Sequence, residues 1–171
     1  MTLIEQATQK DIRLLSDIGM RSFIESHGHS AAREDIDKYV GETYSETALL
    51  KELTDLKNIY YIIFYEQKPA GYSKIIFNSP HKEVAKQNVT KLERLYLLKE
   101  FYGADLGTEL LNFNIKLSKN NDQTGMWLYT WKENERAITF YRKFGFQIIG
   151  SADFWLTPTH ANPNHLMYWE Y

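Results

Sequence analysis

The chain has 171 residues, of which 43% are hydrophobic and 25% charged, with 20 Lys plus Arg set against 22 Asp plus Glu and a formal net charge of −2. Those values fit a single globular domain over residues 1–171 with a sizeable core, and they lack the basic excess expected of a nucleic-acid binder. Cysteine is absent, which excludes disulfides and thiolate metal sites. The opening "MTLIEQATQKDIRLL" is charged early and holds no long apolar run, so neither a signal peptide nor a membrane span is expected, and the cytoplasm is the expected location.

"TLIEQA" reads as a first strand. From Lys10 to about Ser26, Ile12, Leu15 and Ile18 recur at helical spacing, with Phe23 and Ile24 extending the apolar face. "HGHSAAREDIDKYVGETYSETALLKEL" reads as a turn and short helices, the last capped by Ser45. Two β-rich runs, Ile59–Glu66 and Gly71–Phe77, flank the turn signal "QKPAG". After the polar "SPHKEVAKQN", the strand "TKLERLYLL" runs into a loop and a helix from about Leu106 to Ser118. "GMWLYTW" is a strand, "NERAITFYRKF" a helix, and "GFQIIGSADFWL" and "HLMYWEY" are closing strands. This order predicts an α/β fold with a mixed central sheet and helices on both faces.

Two stretches carry chemistry. In "KEFYGADLGTELL", Gly103 and Gly107 lie where a strand feeds a helix N-terminus, whose first amides lack internal partners and favour an anion. The spacing matches neither a Walker loop nor a dinucleotide fingerprint. Asp105 also reads as an ordinary N-cap for the helix that starts at Leu106. In "NERAITFYRKFGF", Asn134 and Tyr141 are two turns apart on nearly one helix face, with the small Ala137 between them. Ala137, Phe140 and Phe144 read as the core stripe of this helix, with Tyr141 at its edge. The five histidines show no metal-ligand spacing, so no metal is expected.

Together, "TKLERLYLL", "FYGADLG", "MWLYTW" and "NERAITFYRKFGF" resemble the GNAT superfamily of acetyl-CoA-dependent N-acetyltransferases, over most of residues 90 to 150. The region "SFIESHGHSAAREDIDKYVGETYSETALLKEL" looks more narrowly like the bacterial spermidine/spermine acetyltransferase branch. The resemblance implies a mostly antiparallel central sheet and acetyl-CoA as acyl donor. It places the pyrophosphate loop on Tyr102, Gly103, Ala104, Asp105, Leu106, Gly107 and Thr108. The family pattern usually has Gln or Arg at Tyr102, often Lys or Arg at Ala104, and Gly at Asp105.

By the same resemblance, Leu95, Tyr96 and Leu97 pair with the pantetheine arm, and a backbone N–H near Leu95 faces the thioester carbonyl. Asn134 and Ala137 border the cofactor arm. Tyr141, with a phenol pKa near ~10, is the candidate acid for the departing thiolate. Glu93 is the candidate base for the acceptor ammonium, or else it pairs across strands. Strict alternation puts Leu95 and Leu97 on one face of the strand, with Glu93, and Arg94 and Tyr96 on the other. Glu25, Glu34, Asp35, Asp37, Glu42 and Glu46 would attract a small cationic amine, a polyamine first. Acetylation of protein N-termini or lysines, and non-catalytic acetyl-CoA binding, remain alternatives. A homodimer is possible, and neither nucleic acid nor membrane is an expected partner.

Overall fold

The computed structural model covers residues 1–171. Its elements are β1 (Thr2–Gln6), α1 (Ile12–His27), α2 (Arg33–Thr43), α3 (Glu46–Thr54), β2 (Ile59–Tyr65), β3 (Lys68–Ile76), β4 (Thr90–Leu97), α4 (Leu106–Asn120), β5 (Gly125–Trp131), α5 (Glu135–Phe144), β6 (Gln147–Thr157) and β7 (His160–Glu170). The strands form a seven-stranded sheet in the order β1-β2-β3-β4-β5-β7-β6. β1–β2, β2–β3, β5–β7 and β6–β7 pair antiparallel, while β4–β5 is parallel. The mixed, mostly antiparallel sheet agrees with expectation. So do helices on both faces, as neighbouring residues of β3 show. The Asn114 side-chain amide on α4 donates to the Ser73 hydroxyl at 2.9 Å, whereas the Lys74 ammonium reaches Glu52 on α3 at 2.6 Å.

The chain packs as two compact units: Met1–Ile75 with Arg94–Asn114, and Ile76–Glu93 with Ile115–Tyr171. In the first, Thr8 and Asp11 form a capping box ahead of α1, the Thr8 N–H donating to the Asp11 carboxylate at 2.8 Å. Leu15, Ile18, Gly19, Ser22 and Phe23 make the buried face of α1 at helical spacing. Ser45 caps α3 as the sequence predicts, its hydroxyl accepting the Ala48 N–H at 3.2 Å. The hairpin turn is tighter than "QKPAG" suggests. Glu66 and Gln67 alone form it, with φ of 49° and 66°, so β3 starts at Lys68. Two left-handed residues match the twist of the flanking strands. Pro69 is tolerated inside β3 because the register shifts at Ile63/Phe64, beside its partner Phe64. At Gly71 a Cβ would lie 2.3 Å from the Tyr96 carbonyl oxygen, so only glycine lets β3 come this close to β4.

Beneath α3 lies a buried charge network. Arg94 donates to both Glu52 carboxylate oxygens, at 3.2 and 3.1 Å, and to the Tyr60 hydroxyl at 2.6 Å. Tyr60 in turn donates to Glu52, and the Arg94 guanidinium lies 5.2 Å from the centre of the Tyr44 ring. The Lys74 and Arg94 side chains are only 6% and 12% exposed, so two cations share one carboxylate in a poorly hydrated place.

In the second unit, β7 begins at His160, five residues before the predicted His165. "HANPN" looks like loop, yet Pro163 sits in strand opposite Asp153. The β5 ladder stops at Asn164, and the Pro163 carbonyl accepts the Lys132 N–H at 2.9 Å, so no N–H is needed from the proline. On α5 the buried residues are Ile138 and Tyr141, while Phe140 and Phe144 are half-buried. That reverses the expected core stripe, because Tyr141 packs on Phe146, which is buried just past the helix end.

Burial alone would push the Glu52 carboxyl up, but Arg94, Lys74 and Tyr60 outweigh it and hold it below its ordinary value. A folded pKa below the unfolded one gives stability that is complete above the unfolded value and lost as pH falls through the folded one. Glu52→Ala is expected to cost about 3 kcal/mol in urea unfolding at neutral pH, because the buried Arg94 loses the carboxylate that it pairs with. The milder Glu52→Gln should trail the wild type at neutral pH, with a gap that closes below the ordinary carboxylate range. A gap independent of pH would refute this account.

Candidate active site

β4 does not alternate strictly. Thr90 bonds to Ser118 of α4 at 2.6 Å, and Leu95 and Leu97 pack on the cluster of Ile63, Ala70, Leu106 and Leu110, which includes α4 residues. Thr90 and Leu95 thus share a face although they are an odd number apart, so the strand slips once between them. Lys91 lies beside Trp127 in the parallel register with β5, and its ammonium meets the Glu93 carboxylate at 3.0 Å. Glu93 therefore keeps the face of Lys91, opposite Leu95 and Leu97, which corrects the expected arrangement. Arg94 turns to Glu52, and the Tyr96 ring lies 6.3 Å from Phe23, 5.9 Å from His27 and 6.0 Å from Tyr72. His27 stacks on Phe23, and burial, helped by His29, lowers its pKa to about 4, so this imidazole is neutral at physiological pH.

After β4 a short 3-10 turn, Lys99–Phe101, leads into the glycine loop. The amides of Tyr102 and Ala104 are used within the turn, donating to the Lys99 and Phe101 carbonyls at 3.1 and 3.5 Å. Those of Gly103, Asp105, Leu106, Gly107 and Thr108 donate to no protein group; the first helical bond is Glu109 to the Asp105 carbonyl at 3.1 Å. Gly103 has φ of 90° with open space around it, and Asp105 has φ of 59°. Asp105 is exposed. The expected N-cap is therefore not made: a cap takes extended φ and ψ, whereas Asp105 is left-handed. What remains is a row of uncommitted amides at the positive end of a 15-residue helix, suited to a phosphate.

Just ahead of α5 the Asn134 side-chain Oδ1 accepts the Ala137 N–H at 3.1 Å, which makes Asn134 the N-cap and fixes its side chain. Its amide nitrogen is left over for another partner. Tyr141 is 8% exposed, held between Phe140 and Phe146, and its hydroxyl bonds to no protein group. Burial pushes this phenol above its ordinary pKa, so it is protonated throughout the physiological range.

Sequence reasoning missed two clusters. One is the Glu52–Arg94–Lys74–Tyr60 network, whose members come from four elements. The other surrounds Lys91 and Glu93: the Lys91 ammonium lies 5.2 Å from the Trp127 ring, and His81 meets Trp127 edge-on and bonds to the Tyr129 hydroxyl at 2.7 Å. The Lys-x-Glu alternation on a strand was the available signal for this second cluster. By contrast, the early acidic run is spread over solvated helix faces. Asp37 and Glu46 meet Arg33 and Arg13 at 3.6 and 3.5 Å, while Glu25 accepts the Lys99 N–H at 2.7 Å.

The acetyltransferase (GNAT) family model matches residues 15–146. An uncharacterized N-acetyltransferase of Lactobacillus delbrueckii subsp. lactis is 28% identical over 142 residues, 83% of this chain and 82% of its own. The spermidine N(1)-acetyltransferase of Thermoplasma acidophilum is 25% identical over 149 residues, 85% of this chain and 88% of its own. Among solved structures, the PaiA N-acetyltransferase of Thermoplasma acidophilum in complex with coenzyme A superposes with a TM-score of 0.79, at 21% identity, covering 100% of this chain and 99% of that one. The chain belongs to the GNAT acetyltransferase family. It is an N-acetyltransferase that uses acetyl-CoA as donor. No helix is long and apolar enough to cross a membrane.

A left-handed aspartate beside uncommitted amides makes a prediction. Asp105→Gly removes the side-chain penalty of this backbone conformation, which should raise stability by about 1 kcal/mol. It also removes a negative charge near the helix N-terminus, worth about 0.3–1 kcal/mol toward a bound anion, so acetyl-CoA should bind a few-fold tighter. Thermal unfolding and calorimetric titration check the two halves separately. Weaker binding by a more stable variant would contradict this placing of the phosphates.

Proposed function

We propose that the protein acetylates a primary amine of a polyamine, such as spermidine or spermine. On the donor side, the carrying observation is the set of uncommitted amides at Gly103, Asp105, Leu106, Gly107 and Thr108, which can bind the pyrophosphate of acetyl-CoA. Leu95, Tyr96 and Leu97 offer main-chain groups to the pantetheine arm, with Asn134 and Ala137 beside it. On the acceptor side, the reading is supported by the likeness to a spermidine acetyltransferase.

Each step needs one group. The acceptor arrives as an ammonium with a pKa near ~10 and attacks only once neutral, and Glu93 takes its proton. The Leu95 N–H stabilises the oxyanion of the tetrahedral intermediate, an interaction worth about a hundredfold or more in rate. As the C–S bond breaks, Tyr141 gives its proton to the sulfur. Its unbonded hydroxyl is available for this and its raised pKa keeps it loaded, while the developing thiolate must draw the proton from a phenol that burial makes reluctant to ionise.

Tyr141→Phe keeps the ring packing on Phe140 and Phe146 and removes only the hydroxyl. Its kcat should fall by about a hundredfold or more, with acetyl-CoA affinity little changed, when chemistry limits the rate. An unchanged single-turnover rate would refute the assignment.

The acceptor is tested by rates on an amine panel at increasing salt. Spermidine and spermine should exceed monoamines of equal length in kcat/KM, and their advantage should shrink as salt shortens the electrostatic reach to about 8 Å. A peptide N-terminus outperforming both polyamines, without salt dependence, would replace them as the acceptor.

A further inference from the structure

We infer that Glu25 is a positioning residue for the donor: from α1 it holds the turn that sets the loop amides for the pyrophosphate, on the reading that those amides bind it. The glycine loop leaves β4 through the 3-10 turn Lys99–Phe101. There the Phe101 N–H donates to the Leu98 carbonyl at 3.0 Å, and the Tyr102 N–H to the Lys99 carbonyl at 3.1 Å. The first amide of the turn, that of Lys99, finds no acceptor in its own segment, because Leu98 at the N-cap has no side-chain acceptor. The Glu25 carboxylate takes this N–H at 2.7 Å, the length of a charge-assisted hydrogen bond. A cap that the local sequence lacks thus arrives from 74 residues away.

A second contact ties the same face of α1 to the same turn. Arg21, one helical turn before Glu25, meets the Glu100 carboxylate at 3.0 Å. Successive residues of the turn are therefore held by successive turns of one helix. Leu98 is anchored separately: its side chain is buried, and its N–H donates to the Ala70 carbonyl of β3 at 2.8 Å. The turn is thus pinned by β3 at Leu98 and by α1 at Lys99 and Glu100, all within one compact unit. Beyond it, the bond from the Ala104 N–H to the Phe101 carbonyl is stretched to 3.5 Å. The direction in which the loop sets out is decided at the turn.

Magnitudes separate the two contacts. The Arg21 and Glu100 side chains are 46% and 60% exposed, and an ion pair of that kind contributes little. The Glu25 bond ends on main chain, where a hydrogen bond to a charged group counts for more and where its loss frees the backbone of the turn itself. Charge alone would give Glu25 the opposite role. A carboxylate near an anion site repels the anion, so its removal would tighten binding. Glu25 therefore serves the donor only through the hydrogen bond it accepts, and the two roles differ in sign. One member of the early acidic run, expected to attract the acceptor, works on the donor side instead.

The test is calorimetric titration of acetyl-CoA into the wild type, Glu25→Ala and Glu25→Gln. Glu25 is exposed and lies off the buried face of α1, so neither substitution disturbs the core. Glu25→Ala should bind about tenfold more weakly, the factor that goes with a lost hydrogen bond to a charged group. Glu25→Gln loses the charge but keeps a carbonyl acceptor, so it should bind at least as tightly as the wild type. Unchanged or tighter binding by Glu25→Ala would overturn the proposal. So would equal weakening of both variants, which marks an effect of charge and not of the hydrogen bond. S-acetylpantetheine, which has the thioester arm without the pyrophosphate and nucleotide, checks the reading of the loop, and the wild type should bind it far more weakly than acetyl-CoA. If the wild type binds both alike, the loop reading has failed and the proposal with it. If it prefers acetyl-CoA while Glu25→Ala matches it, only the assignment of Glu25 has failed.

Discussion

A guanidinium cannot shed its charge, so burying one obliges the chain to bring it a carboxylate, and Arg94 on β4 imposes that obligation here. Counting strictly from Thr90, which faces α4, Arg94 would fall on the α4 side, among Ile63, Ala70, Leu106 and Leu110. Nothing in that cluster can pair with it. The slip in β4 moves Arg94 to the opposite face, where Glu52 and Tyr60 wait, and hands its former place to Leu95. One ion pair thus dictates where the strand changes face. It leaves the carboxylate of Glu93 on one side and the side chains of Leu95 and Leu97 on the other. Lys74 adds a second cation to Glu52 and makes the carboxylate harder to protonate, which keeps the anchor intact at neutral pH.

The loop after β4 solves a different problem. Its turn hydrogen bonds consume the amides of Tyr102 and Ala104 and leave the others pointing to no protein partner. Two left-handed residues, Gly103 and Asp105, make that possible, since each turns a peptide N–H away from the direction an ordinary turn would give it. The glycine adopts this conformation at no steric cost. Aspartate tolerates it better than most residues but brings a negative charge to the same end of the helix. The chain therefore keeps the geometry of an anion site with some electrostatic opposition built into it.

Much of this was legible in the sequence, and the exceptions share a cause. Ser45 ahead of an apolar run, the glycine spacing at 103 and 107, and the strand–helix order are local signals, and the structure contains the elements they predict. The misplaced features depend on partners far along the chain. Pro163 argues for loop until Lys132 is known to lie against its carbonyl. Tyr141 looks like the rim of a helix until Phe146, beyond the helix, folds back onto its ring. The hairpin at Glu66–Gln67 lacks the glycine or asparagine that would announce its left-handed turn. The slip in β4 is invisible locally, because "LERLYL" alternates well enough on its own and only the burial of Arg94 breaks the pattern.

The imidazole beside Lys91, that of His81, is fixed by its own hydrogen bonds. Both its ring nitrogens are engaged. Nδ1 accepts the Glu83 N–H at 3.1 Å, so the ring proton sits on Nε2 and is given to the Tyr129 hydroxyl at 2.7 Å. Protonating Nδ1 would break the first of these bonds. Desolvation lowers the pKa of this histidine and outweighs the opposing pull of Glu83, with smaller contributions from Lys82 and Lys91 in the lowering direction. A ring held by two bonds and kept neutral by desolvation is a fixture that positions Tyr129 and Trp127, and it is a poor receiver of protons. Glu93, the base in the proposed mechanism, is by contrast a carboxylate that meets an ammonium, that of Lys91, at 3.0 Å.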